Sequence, residues 1–173
     1  GRKGSTRVAW KGMDKPLEKG NWPLIAPSSI PFYPFNNIPR EMTERDMAAV
    51  TSDFVSAACK AHDAGADVLE LHMAHGYLLS SFITPVSNQR TDKYGGSLEN
   101  RISFPLQGFD SVRAGWPKEK PMSVRISATD WVGEEGVTGN EAVEIAMIFK
   151  AHGCDLIDVS AGQTTPAARP IYG

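Results

Sequence analysis

Apolar side chains at Met47, Val50, Phe54, Ala57, Ala58 and Ala61 recur at steps of three and four residues. That period predicts an amphipathic helix over about 44–64. Thr43, with Asp46 three residues on, supplies an N-cap pair, and Gly65 supplies the left-handed stop. The run 66–72 (Ala-Asp-Val-Leu-Glu-Leu-His) is short and nearly apolar, and it reads as a buried parallel strand. The same succession returns twice. A helix is predicted over 99–114, with Ile102, Leu106, Phe109 and Val112 on one face and Pro105 as a kink or early break; a strand follows at 121–127. Thr138 then caps a helix carrying Ala142, Ile145, Ala146 and Phe149, Gly153 ends it, and a third strand occupies 155–160.

Residues 1–40 break the pattern. They hold six of the twelve prolines, which excludes a long helix or a central strand and predicts an irregular segment. Trp10, Trp22, Phe32, Tyr33 and Phe35 are its candidate anchors. Three helices alternating with three strands over 41–173 predict an α/β fold with a parallel sheet. Each strand ends in polar residues followed by a glycine-containing loop: His72 then Gly76, Ser127 then Gly133, Ser160 then Gly162. Polar residues repeated at successive strand ends favour a (β/α) barrel, whose sites lie at that edge. A complete barrel uses about 250 residues for its eight units. The chain has 173 residues and three such units, so it is expected to form only part of one. Its first and last residues read as the middle of a longer polypeptide. The open sheet edges would then meet the remainder of the parent barrel or drive self-association.

Composition narrows the function. Eighteen Lys and Arg against twenty Asp and Glu give a net charge of −2, which argues against a dedicated nucleic-acid binder. No apolar run approaches the roughly 20 residues of a membrane span, and no leader segment is visible. Two cysteines, Cys59 and Cys154, are too few for a disulfide framework. They fit a reducing, cytoplasmic setting and read as core residues.

The densest candidate chemistry is His72-Met73-Ala74-His75-Gly76-Tyr77-Leu78. Two neutral imidazoles aimed at one oxygen would polarise it, and a nearby phenol would deliver a proton. The competing reading is two histidines satisfied by backbone and a tyrosine packed on the rim. A metal-dependent hydrolase using His72 and His75 lacks the glutamate and third ligand of a zinc motif. Arg125 lies within a strand, with Ser123 and Ser127 on its face. It reads either as a guanidinium against a bound cofactor or as a salt bridge to Glu70 or Asp158. Residues 1–20 carry six Lys and Arg against Asp14 and Glu18, which is either a solvated face or a contact for an anionic group. In the polar loop 87–101, Asn100 and Arg101 read as structural hydrogen-bonding residues, and no phosphate-binding glycine motif is present.

Several of these stretches together are specific. Gly1-Arg2-Lys3, Ala26-Pro27-Ser28, the His-x-x-His-Gly-Tyr-Leu run at 72–78, the Tyr-Gly-Gly-Ser-x-Glu-Asn-Arg run at 94–101 and Val124-Arg125-Ile126-Ser127 resemble the old yellow enzyme family of FMN-dependent oxidoreductases. Gly1 to Arg7 together with Gly20-Asn21-Trp22-Pro23-Leu24 resemble, within that family, the C-terminal flavin domains of salicylyl-CoA 5-hydroxylases and anthraniloyl-CoA monooxygenases. The resemblance implies a (β/α)8 barrel of which residues 1–173 span roughly strands four to six. It implies FMN as cofactor and NAD(P)H as electron donor. It also implies hydride transfer to an activated unsaturated or dearomatised aromatic small molecule, an aromatic acyl-CoA if the closer likeness holds. By motif match, His72 and His75 bind the substrate's oxygen, Tyr77 donates the proton and Arg125 lies against the flavin. The family's phosphate site has no counterpart in these residues, so the chain alone is expected to hold FMN poorly. A catalytically inactive fragment is the alternative.

Overall fold

The structure, a computed structural model, describes residues 1–170. Among the described residues, five strands and four α-helices follow in chain order. A two-residue strand β1 (Ile25–Ala26) pairs in parallel with β2 (Arg40–Glu41). Then come α1 (Glu44–Asp63), β3 (Leu69–Met73), α2 (Leu78–Ile83), α3 (Leu98–Gly115), β4 (Met122–Ser127), α4 (Gly139–Ala151) and β5 (Leu156–Ser160). β3, β4 and β5 form one parallel sheet in that order, so β4 is central and each outer strand has a single neighbour. The sheet is open, in agreement with the length argument.

The predicted helix signals are present as hydrogen bonds. Thr43 and Asp46 form a reciprocal capping box on α1. α1 and α4 end in the same way. The Gly65 N–H donates to His62 O and the Ala66 N–H to Ala61 O; the Gly153 N–H donates to Lys150 O and the Cys154 N–H to Phe149 O. Both glycines have positive φ, near 90°, so each end is a Schellman motif. This closure consumes Ala66. The strand expected over 66–72 therefore starts later and runs Leu69–Met73. Pro105 neither breaks nor ends α3. Ile102, Phe104, Phe109 and Val112 are all buried in the core, and their packing outweighs the lost backbone bond, worth about 3 kcal/mol.

One helix has no counterpart in the predicted pattern. α2 is six residues long and Leu79 to Ile83 are all buried, so it shows no polar face and no amphipathic period. It packs on α3, with the Phe82 and Phe104 ring centroids 4.6 Å apart.

Two core assignments need correction. Cys59 is exposed, because it follows the buried Ala58 by one helical step of about 100° and turns off the buried stripe. Among the aromatic residues of 1–40, Phe32 is buried, but Trp10, Trp22 and Phe35 are exposed. The outer strands are not buried on both faces. Leu71, Met73, Val124 and Ile126 pack against the helices; the opposite face is polar, exposed at Glu70 and half-buried at His72, Arg125 and Asp158, while Ser123 and Ser127 of the central strand are buried on it.

Candidate functional site

That open polar face is set by register. His72 lies opposite Arg125 on β4, and Arg125 lies opposite Asp158 on β5, in a sheet where paired residues project to the same side. Glu70, Ser123, Ser127 and Ser160 share the face by alternation. Strand geometry alone thus gathers two carboxylates, an imidazole and a guanidinium at one surface.

The loop after β3 adds the rest. His75 takes a left-handed backbone with φ of 61°, and Gly76 follows with φ of 68°. A Cβ at Gly76 would sit 3.0 Å from the backbone of Gln163 and Thr164, so both conformation and close approach require glycine there. The tight turn folds the chain back over the strand end. The His72 ring centroid is 5.0 Å from that of His75 and 5.2 Å from that of Tyr77. The structure therefore brings His72, His75 and Tyr77 together. An open cleft of about 400 Å³ beside them is lined by Lys3, Phe54, His72 and Tyr77 among others.

The hydrogen bonds distinguish the two histidines. His75 Nε2 lies 2.7 Å from Ser160 Oγ, and the His75 N–H donates to Ser127 Oγ at 2.9 Å. Both ring nitrogens of His72 and the Tyr77 hydroxyl make no hydrogen bond among the described residues. Burial pushes both imidazoles below the usual histidine range; the Arg125 charge adds to this at His72, and His72 followed by Arg125 adds to it at His75. The neutral form of each ring is thereby favoured. Each can then donate one N–H to an acceptor oxygen.

Arg125 satisfies part of each expectation made for it. Its Nε faces Asp158 Oδ2 at 3.2 Å, while Glu70 instead accepts from Ser123 Oγ at 3.0 Å. Yet that Nε is buried and lacks hydrogen-bond geometry, and the guanidinium makes no hydrogen bond among the described residues. A planar cation with unspent donors, in mid-strand and beside neutral imidazoles, suits the electron-rich pyrimidine edge of a flavin. On that donor set, the residues fit FMN at the ring.

The basic N-terminal segment splits. Arg2 is buried and its Nη2 donates to Thr164 O at 2.6 Å. Lys3 Nζ donates to His75 O at 3.0 Å and Gln163 O at 3.2 Å. Neither reading of the segment as a solvated face or an anion contact describes these two residues. Nothing in the sequence marks Lys3 beyond its place beside Arg2 in the Gly-Arg-Lys stretch. Asn100 and Arg101 are structural, as expected: Asn100 Nδ2 donates to Gly95 O at 3.0 Å, and Arg101 donates to Ile83 O and Gly96 O and pairs with Glu141.

Comparison with known proteins places the chain. A family model described as the NADH:flavin oxidoreductase / NADH oxidase family matches residues 25–171. An NADH:flavin oxidoreductase of Gibberella zeae is 42% identical, covering 96% of this chain and 44% of the relative. An NADPH dehydrogenase of Clostridium acetobutylicum is 43% identical over 86% of the chain and 43% of the relative. The chain thus spans less than half the length of these relatives. Among solved structures, 2-naphthoyl-CoA reductase in complex with 2-naphthoyl-CoA superposes with a TM-score of 0.77 at 30% identity, over 87% of this chain and 23% of that one. Morphinone reductase superposes with a TM-score of 0.71 at 23% identity, over 91% and 44%, a likeness of fold.

Proposed function

Because the chain belongs to the NADH:flavin oxidoreductase / NADH oxidase family, whose members use FMN with NAD(P)H as electron donor, we propose that its parent protein reduces an activated unsaturated or dearomatised aromatic small molecule. The observation that carries this reading is the registered polar face, with His72, Arg125 and Asp158 side by side and Tyr77 folded over it.

FMN, when bound, supplies the hydride chemistry. The chain's own residues do the rest. His72 and His75 donate N–H groups to the substrate's carbonyl or phenolate oxygen and draw charge onto it. The Tyr77 hydroxyl, which no described residue occupies, donates a proton to the carbon that becomes electron-rich. Arg125 would turn its free donors toward the flavin, with Asp158 paired to its Nε side as an ion pair at 3.2 Å. In the parent protein, Arg125→Met removes those charge-assisted contacts and is expected to weaken FMN binding at least about tenfold. Fluorescence titration of the apoprotein measures this; unchanged affinity would remove Arg125 from the cofactor site.

The substrate is proposed to be an aromatic acyl-CoA. The likeness of residues 1–24 to salicylyl-CoA 5-hydroxylase flavin domains supports this, as does the acyl-CoA ligand of 2-naphthoyl-CoA reductase. Since Arg2 and Lys3 turn inward and Arg7 pairs with Glu18 at 3.2 Å, the exposed Lys11, Lys15 and Lys19 are the cations left to meet CoA phosphates. A phosphate site for FMN is proposed to come from other residues of the parent, with 1–173 forming one part of a single flavin barrel in a cytoplasmic enzyme.

The inactive-fragment reading has one observation in its favour. β3 and β5 each have one strand neighbour, and Val68, Leu156 and Val159 are exposed beside those edges. The 173-residue chain on its own is accordingly expected to self-associate at micromolar concentration, which sedimentation velocity reads directly. A single monomeric boundary would show that the edges are protected. The metal-hydrolase reading finds no ligand set: no three His, Cys, Asp or Glu side chains cluster for an ion among the described residues. No described helix is long and apolar enough to cross a membrane.

A further inference from the structure

Lys3 occupies a position that the proposed chemistry does not require of a lysine. Its ammonium lies 4.8 Å from the Phe32 ring centroid and 4.8 Å from the Tyr77 ring centroid, so two aromatic rings share one cation. Its two hydrogen bonds go to His75 O and Gln163 O. Those carbonyls belong to two of the four non-glycine residues with positive φ among the described residues, each at 61°. One residue is in the loop after β3 and the other in the loop after β5. Left-handed backbone costs such residues about 1–2 kcal/mol and persists only where its surroundings hold it. A single side chain thus ties two strained loops together and lies against the ring of the proposed proton donor.

We propose that Lys3 is a positioning residue for Tyr77: its ammonium, clamped between Phe32 and Tyr77 and bonded to His75 and Gln163, sets where the phenol stands in the cleft. This deepens the reading above and rests on Tyr77 acting as the donor. The clamp depends on charge, because a neutral amine keeps its donors but loses its attraction to the ring faces. Burial, with Arg2 beside it, lowers the Lys3 ammonium to about 8. The charged or titratable groups around it are Arg2 on its own segment and His72, His75 and Tyr77 from β3 and the following loop. Residues 28–36 add only the Tyr33 phenol, and residues 161–168 add none. No carboxylate pairs with Lys3 among the described residues. The clamp is therefore charged below about pH 8 and neutral above it.

The test uses the full-length parent protein, its Lys3→Met variant and its Lys3→Arg variant. Hydrogen exchange of the peptide spanning 72–79 is followed from pH 6.5 to about 9.5, corrected for intrinsic rates. In the wild type, protection of His75, Gly76 and Tyr77 amides is expected to fall with a midpoint near pH 8. Lys3→Met should show about tenfold lower protection at pH 7 and no further fall. Lys3→Arg, charged throughout, should hold its protection to the top of the range. Reduction of substrate should follow the same three profiles, while flavin reduction by NAD(P)H should not. Wild-type protection and an unshifted pH profile in Lys3→Met would overturn the proposal. If Lys3→Met does not fold, a limb still near pH 8 in Lys3→Arg overturns it, and a limb displaced upward supports it. Absence of flavin from the parent would sink the proposed function while leaving the exchange result standing.

Discussion

Tyr77→Phe is expected to slow substrate reduction by roughly 100-fold to 10,000-fold, the usual range for loss of a positioned general acid. The structure makes this a clean substitution. The Tyr77 hydroxyl has no partner among the described residues and the side chain is about half exposed, so its removal leaves no buried donor or acceptor unmet. The ring that Lys3 and His72 contact is retained in phenylalanine. Stopped-flow measurement on the parent protein separates the two half-reactions. Bleaching of flavin absorbance by NAD(P)H should proceed at the wild-type rate. Return of that absorbance on mixing with an α,β-unsaturated ketone should be slow. Equal rates of return in the two proteins would show that the proton comes from elsewhere.

Gly95→Ala is expected to destabilise the protein by at least about 3 kcal/mol, a size kept for substitutions that force backbone apart. A Cβ there would lie 2.1 Å from the carbonyl oxygen of Arg90 and 2.6 Å from its carbonyl carbon. Arg90 cannot withdraw. Its Nη1 is bonded to Pro27 O at 3.0 Å and to Met42 O at 2.9 Å, which ties the 87–101 loop to the segments flanking β1 and β2. Asn88 Nδ2 anchors the same loop to Phe82 O and Tyr94 O, each at 2.7 Å. Gly96 is the internal control. Its φ is 82°, but a Cβ would meet nothing within 4 Å, so Gly96→Ala should cost only about 1–2 kcal/mol for the left-handed backbone. Chemical denaturation of the two variants side by side measures the difference. Similar midpoints would contradict the close approach of Gly95 to Arg90.

These glycines show what a motif can and cannot tell. The run Tyr94 to Arg101 is among the most specific in the chain, and its shape there is structural. Gly95 admits the Arg90 backbone, Gly96 turns the chain, and Asn100 and Arg101 bind the carbonyls so exposed. The equally specific His72-to-Tyr77 run gathers ring side chains at an open cleft. The sequence already reads Asn100 and Arg101 as structural and His72, His75 and Tyr77 as candidate chemistry, and the hydrogen bonds give the reason. The difference is whether the polar atoms are spent on backbone, as at Arg101, or left free, as at Tyr77.

Local periodicity and termination signals determined α1, α3, α4 and the three parallel strands, because capping boxes, Schellman glycines and amphipathic stripes act over a few neighbouring residues. The same local rules placed Arg125 on a face with Ser123 and Ser127. Contacts distant in sequence decided the rest. The six-residue α2 exists because the core surrounds it. His72 meets Arg125, and Arg125 meets Asp158, only through sheet register, and Lys3 reaches His75 and Gln163 only after the chain between them has folded. Those placements depend on where elements pack rather than on what each residue's neighbours are. A linear pattern carries the first kind of information in full and the second hardly at all.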